Sequence, residues 1–279
     1  MSHPALNSES VAVVTGGASG IGLAAAEWFS KEGMRVVLVD RDTEKLSIAA
    51  DALKSVGAAD VMTADVDVSD RSQLVALEQD VADRFGGTDI LMNNAGVGGR
   101  SSTLGDAEPW ERMLGVNLWG PIHGSQVFAP RMIERRRSGA IINTGSKQGI
   151  TTPPGNPAYN VSKAALKAFT EALAHELRTG DGQHITAHLL VPGFVYTGMI
   201  SAPEKPASAW TADQTIAFFV ESMNRGDFYI LCPDNDVTRD IDERRIAWSV
   251  GDVIENRPPL SRWHPEYKDA FEAFMSPGT

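Results

Sequence analysis

Between residues 11 and 191 the chain alternates short, continuously apolar runs with longer stretches of helical periodicity, and no other feature restricts the fold as much. The apolar runs lie at 11–14, 35–39, 61–66, 90–93, 140–144 and 185–191. The helical stretches lie at 21–31, 43–56, 69–85, 108–118, 121–136 and 158–178, with Thr43 and Ser69 as candidate N-caps. A strand that is apolar on both faces must be covered on both faces, so these runs belong in a sheet sandwiched between helices. Strand–helix–strand repeats in one sheet are parallel, with right-handed crossovers. The expected fold is α/β: one domain spanning 1–279, a doubly wound parallel sheet of about seven strands with helices on both faces. The seventh strand falls at 228–231, after an amphipathic helix at 211–225 whose Ile216, Phe219, Val220 and Met223 share a stripe.

The first apolar run opens into Thr15-Gly-Gly-Ala-Ser-Gly-Ile-Gly22. Glycines 16, 20 and 22 stand where a strand turns into a helix. There a backbone free of Cβ atoms can approach a diphosphate, and the helix aims its N–H groups at the anion. Asp40 closes the second run. A carboxylate at that place accepts hydrogen bonds from an adenosine ribose and repels a 2′-phosphate, which favours NAD over NADP. Ser19 brings no cation to the loop, and Arg41 is the residue that keeps NADP open.

Three further groups carry chemistry. Ser146 follows the fifth run, and Tyr159 and Lys163 stand four positions apart at the start of a long helix, hence on one face. A free phenol has a pKa of about 10, and a neighbouring ammonium would bring it toward neutrality.

Composition narrows the partners. The formal net charge is −11, which opposes a nucleic-acid partner. The one cysteine, Cys232, excludes an internal disulfide and a cysteine-based metal cluster. Histidines 184 and 188 lack a third ligand, so no metal is expected. No apolar run is long enough for a membrane span and the N-terminal residues do not read as a secretory signal, so the expected location is the cytoplasm. Arg135-Arg136-Arg137 ends a helix, where basic residues suit the dipole and stay solvated.

Taken together, these residues resemble the short-chain dehydrogenase/reductase family. The matching landmarks are the 15–22 loop, Asp65-Val66, Asn93-Asn-Ala-Gly96, Asn117 in Val-Asn-Leu, Ser146, Tyr159-x-x-x-Lys163 and Pro192-Gly-Phe-Val-Tyr-Thr197, over roughly residues 8–198. The resemblance implies a Rossmann-like oxidoreductase that moves a hydride between NAD and a secondary alcohol or ketone. It implies Tyr159 as general acid/base and Ser146 as the group that holds the substrate oxygen. Lys163 would lower the Tyr159 pKa and bind the nicotinamide ribose, and Asn117 would hold a water in the proton path. Gly16, Ser19, Gly20, Ile21, Gly22 and Asp40 would bind the cofactor. Asp65 and Val66 would flank the adenine, and Asn93, Ala95 and Gly96 would line the cofactor cleft. Pro192, Val195 and Thr197 would hold the carboxamide end. A homodimer or homotetramer built on the helices near 108–136 and 158–178 is implied as well.

The chain departs from the family after the seventh strand. Residues 234–279 form a C-terminal extension that either covers the active site or packs on the outer face, and 198–226 reads as a candidate substrate lid. Phe194 and the stretch 199–210 point to an apolar pocket and a hydrophobic or aromatic substrate. The competing functions are a non-catalytic NAD-sensing or scaffold protein, opposed by the presence of Tyr159 and Lys163, and an NADP-preferring carbonyl reductase.

Overall fold

The computed structural model describes residues 2–198 and 202–276. Strands β1 (Val11–Thr15), β2 (Arg35–Asp40), β3 (Asp60–Asp65), β4 (Ile90–Asn93), β5 (Gly139–Thr144), β6 (Ile185–Val191) and β7 (Tyr229–Leu231) form one sheet in the order β3-β2-β1-β4-β5-β6-β7. Every pairing is parallel. The helices are α1 (Gly20–Lys31), α2 (Thr43–Ser55), α3 (Arg71–Phe85), α4 (Glu108–Leu114), α5 (Gly120–Glu134), α6 (Gln148–Thr151), α7 (Pro157–Thr179), α8 (Ala212–Arg225), α9 (Arg239–Ile254) and α10 (Lys268–Met275). Winding runs outward from β1 to β3, then crosses back to β4 and outward to β7. The strand order therefore reverses between β1 and β4, and a crevice opens at their carboxyl ends.

Alternate strand residues divide the core in two. Ala12, Val14, Leu38 and Met92 meet the inner faces of α1, α2 and α8, including Phe29, Leu53 and Phe219. Val11, Val13, Val37 and Leu91 meet α3, α5 and α7 through Leu74, Val81, Phe128 and Leu177. This two-sided burial is why the central strands are apolar on both faces, whereas the edge strand β3 carries Asp60, Thr63 and Asp65 at exposed positions.

Several local expectations are corrected. Asp42, not Thr43, caps α2 by accepting from the Lys45 N–H, and Asp70, not Ser69, caps α3 by accepting from the Ser72 N–H. In each case the aspartate adjacent to the expected residue satisfies an orphan N–H group of the first turn. The stretches at 108–118 and 121–136 are joined by a π-helical segment, Gly115–Trp119, into one near-continuous rod. Within the extension, helix α9 starts at Arg239, where Thr238 caps a charged first turn by accepting from the Ile241 N–H. Helix α8 cannot belong to a lid: Ile216, Phe219 and Met223 are buried in the core. Within the candidate lid, residues 199–201 lie outside the described residues. The remainder is tied down by Trp210, whose N–H donates to the Phe194 carbonyl and whose carbonyl accepts from Tyr196.

The basic run at 135–137 is not simply solvated. Arg135 and Arg137 converge on Asp89 at 3.1 and 3.4 Å, and Asp89, 2% exposed, also accepts the Val11 N–H at 3.0 Å. One carboxylate thus joins the start of β1, the start of β4 and the end of α5. Asp89→Ala is expected to lower unfolding free energy by about 3–5 kcal/mol, because two guanidinium groups lose a buried partner. Urea denaturation checks this; a loss under about 1 kcal/mol would show that the pair is dispensable.

Candidate active site

A cleft of about 780 Å³ occupies the crevice, lined by the loop after β1, the ends of β2 and β3, the loop after β4, the start of α7 and the loop after β6. Gly16, Ser19, Gly20 and Ile21 line it on one side. Gly16 and Gly20 have φ of +64° and +55°, and a Cβ on Gly16 would lie 2.8 Å from the Ala95 Cα. Ser19 is the N-cap of α1 yet makes no side-chain capping bond, so the first-turn N–H groups remain available to an anion. Gly22 lies behind the cleft wall. A Cβ there would fall 2.2 Å from the Gly16 carbonyl oxygen, so its part is to let the helix approach the loop.

At the far end of the cleft, Asp40 accepts from the backbone N–H groups of Arg41 at 2.8 Å, Asp42 at 3.2 Å and Ala18 at 3.2 Å. Arg41 is 3.1 Å from Asp67. The Ser69 hydroxyl foremost, and Arg41 in addition, hold the Asp67 carboxyl below the usual carboxylate range. Two Asp-Val pairs stand in tandem here, and of the pair named from sequence only Val66 reaches the cleft. Asp65 is exposed and outside the cleft, whereas Val66, Asp67 and Val68 line it. The signal was the end of β3 at Asp65, since only residues past a strand's carboxyl end turn into the crevice.

Asn93 is likewise displaced by one. Its amide is buried and donates to Asn143 at 2.9 Å, which in turn donates to Thr170 at 3.0 Å. The neighbouring Asn94 lines the cleft and donates to the Thr15 carbonyl at 3.2 Å, with Ala95 and Gly96 beside it. Pro192, Val195 and Thr197 line the opposite wall, with Phe194 between them and 38% exposed.

Ser146, Tyr159 and Lys163 meet at one place in the cleft. Lys163 is 4% exposed, and its ammonium donates to the Thr144 carbonyl at 2.7 Å. Burial pulls its pKa down to about 8. Burial pushes the Tyr159 phenol above its ordinary value, and a hydrogen bond with Ser146 pulls it partly back. The Lys163 Nζ stands 5.8 Å from the Tyr159 ring centroid. The ammonium keeps its full charge while it donates to the Thr144 carbonyl, and burial is the largest influence on the Tyr159 phenol. Asn117 sits in the π segment, fully buried. Its Oδ1 accepts the Val97 N–H at 2.8 Å and its Nδ2 donates to the Val97 carbonyl at 3.0 Å. Both ends of its amide clamp the loop after β4. The π turn is what points this side chain inward, a use such turns often serve at functional sites. Gln148, Asn156 and Arg112 also line the cleft and were not expected from sequence, where nothing marks them.

His188 is a satisfied structural histidine, placed 2.8 Å from both the Asp227 carbonyl and the Thr186 hydroxyl. Among the described residues no group of three potential metal ligands converges, and no described helix is long and apolar enough to cross a membrane.

The buried ammonium has a measurable cost. An unfolded lysine titrates near 10.5 and this one at about 8. Between those values the unfolded chain binds more protons, so the penalty is complete below pH 8 and fades as pH rises toward 10.5. Lys163→Met is expected to raise the melting midpoint by a few degrees at pH 7, with the gain shrinking toward pH 10. Calorimetry at both pH values, with no nucleotide added, tests this; an equal gain at the two would refute it.

The family model of the short chain dehydrogenases matches residues 10–207. A short chain dehydrogenase/reductase from Burkholderia phymatum, crystallised in complex with NAD, is 32% identical and covers 90% of this chain and 96% of that chain, with a TM-score of 0.81. L-sorbose reductase from Gluconobacter frateurii, complexed with NADPH and L-sorbose, is 31% identical and covers 80% of this chain and 92% of that chain, with a TM-score of 0.70. The 1-deoxy-11-beta-hydroxypentalenate dehydrogenase of Streptomyces exfoliatus is 32% identical over 260 residues, which is 90% of this chain and 93% of the relative. The chain belongs to the short-chain dehydrogenase/reductase family and is an oxidoreductase of the kind that works with a nicotinamide cofactor.

Proposed function

We propose that this oxidoreductase interconverts a secondary alcohol and its ketone with NAD as the preferred cofactor. The observation that carries the reading is the convergence of Ser146, Tyr159 and Lys163 in the cleft that also holds the glycine loop and Asp40. The cleft suits the cofactor: a glycine turn without room for Cβ atoms, uncapped N–H groups at the start of α1, and a carboxylate at the ribose end. Gly16, Ser19, Gly20 and Ile21 would hold the diphosphate, Asp40 a ribose, and Val66 and Val68 the adenine. Ala95, Gly96, Tyr159, Lys163, Pro192, Val195 and Thr197 would hold the nicotinamide half. When bound, the nicotinamide supplies the hydride acceptor or donor.

The side chains manage the proton. In reduction the Tyr159 phenol gives its proton to the ketone oxygen and is left as a phenolate; in oxidation that phenolate takes the hydroxyl proton of the alcohol. Ser146 donates a hydrogen bond to that oxygen and holds it beside the phenol. Lys163 carries a proton at a pKa of about 8, within reach of neutral pH, and is placed to exchange it. Phe194 and Val97 give the substrate end an apolar surface, which supports a hydrophobic or aromatic substrate.

NAD preference rests on electrostatics. Arg41, the cation that could take a 2′-phosphate, is paired with Asp67, and Asp40 stands beside it. Two carboxylates against one guanidinium leave that end of the cleft unfavourable to a phosphate.

Two outcomes follow. In a 340 nm assay with 1-phenylethanol and related carbinols, Tyr159→Phe is expected to lower kcat by about 1,000-fold while NADH binding, read by fluorescence, stays within about twofold. Retention of turnover would remove Tyr159 from the mechanism. Asp67→Asn frees Arg41, and the NADP-to-NAD ratio of kcat/KM is expected to rise about tenfold, equivalent to ~1.4 kcal/mol. An unchanged ratio would mean that Asp40 alone selects.

A further inference from the structure

Among the described residues none beyond Gly198 lines the cleft, so the C-terminal extension does not cover it directly. The extension nevertheless reaches the active-site frame through one cation. Lys147 follows Ser146 in the chain. Its ammonium lies 2.6 Å from Asp242 Oδ2 on α9 and 3.5 Å from Asp234 Oδ2 just after β7. Both carboxylates are buried, with side-chain exposures of 6% and 5%. Asp234 Oδ2 also accepts the Phe194 N–H at 3.0 Å, while its Oδ1 accepts the Val237 N–H at 2.8 Å and the Asp236 N–H at 3.2 Å. Close by, a Cβ on Gly193 would fall 2.8 Å from Asp234 Oδ2. Apolar packing follows the same line: Ile246 of α9 and Ile150 of α6 pack on one cluster with Leu189, Val191 and Leu231.

A single ammonium therefore joins the serine loop, the Phe194 loop and the extension. Lys147 is the cation in contact with both buried carboxylates, with Arg245 a lesser influence on Asp242, and its removal leaves like charges adjacent in a dry site. We propose that Lys147, held between Asp234 and Asp242, is a positioning residue through which the C-terminal extension fixes the Ser146 and Phe194 sides of the substrate cleft. Neither the glycine loop nor Asp40 belongs to this cluster, so its effect falls on the substrate and nicotinamide end of the cleft and not on the diphosphate and adenosine end. Only the kinetic part of the test rests on the alcohol/ketone reading.

The test compares the full-length protein with Asp242→Asn and Asp242→Glu. Hydrogen–deuterium exchange of Asp242→Asn is expected to show faster uptake in peptides covering 145–152 and 192–198, with peptides covering 11–31 unchanged. The KM for 1-phenylethanol is expected to rise about tenfold to a hundredfold, with the dissociation constant of ADP-ribose, which carries the diphosphate and adenosine but no nicotinamide, within about twofold of that of the unmodified protein. Asp242→Glu, which keeps the carboxylate, is expected to recover most of both effects. Should Asp242→Asn not fold, Lys147→Arg against Lys147→Met gives the same comparison. Faster exchange confined to 234–254 with KM unmoved, or a parallel loss of ADP-ribose affinity, overturns the proposal. Exchange is read without substrate. Absence of turnover by the unmodified protein would count against the proposed function and leave exchange to decide the positioning role.

Discussion

The contact between the loop after β1 and the loop after β4 holds the rest of the site in place. The Thr15 hydroxyl accepts the N–H groups of Asn94 and Ala95 at 2.9 and 3.0 Å, and the Asn94 amide donates back to the Thr15 carbonyl. Gly16 and Gly22 leave no space for a side chain between these segments. The two strands are neighbours only because the winding direction reverses between them, so neither loop needs to close over the crevice edge. Without that close approach the N-terminus of α1 would not face the same cavity as Tyr159.

Electrostatics at the two ends of the cleft are arranged by opposite means. At the ribose end charges are exposed and paired: Arg41, 71% exposed, is met by Asp67. At the chemical end charge is buried: Lys163 is held against a carbonyl, and desolvation pushes the Tyr159 phenol above its ordinary value. Burial costs stability at neutral pH and brings a lysine into the range where it exchanges protons, a trade common at sites built for proton transfer.

The family's sheet and the chain's own extension meet at Lys147. Fold similarity extends through the domain, and it says little about substrate, because the walls that meet substrate are loops. Here those loops are braced from behind, by Asp234 on the Phe194 backbone and by Asp242 on the residue after Ser146.

The order of strands and helices, the glycine turn and the Ser146–Tyr159–Lys163 set were legible in the sequence, because each rests on local spacing: apolar runs of sheet length, glycine at positive φ, and two residues one helical turn apart. Local spacing could not say which member of a tandem pair faces the cleft, and so Asn93 stood for Asn94 and Asp65 for Asp67. That choice depends on where a strand stops, which pairing with its neighbours decides. Nor could it show that Lys163 is spent on the Thr144 carbonyl, that Asn117 clamps Val97 from within a π turn, or that Arg135 and Arg137 serve Asp89. Those contacts join residues far apart in the chain, and only the packed sheet brings them within bonding distance.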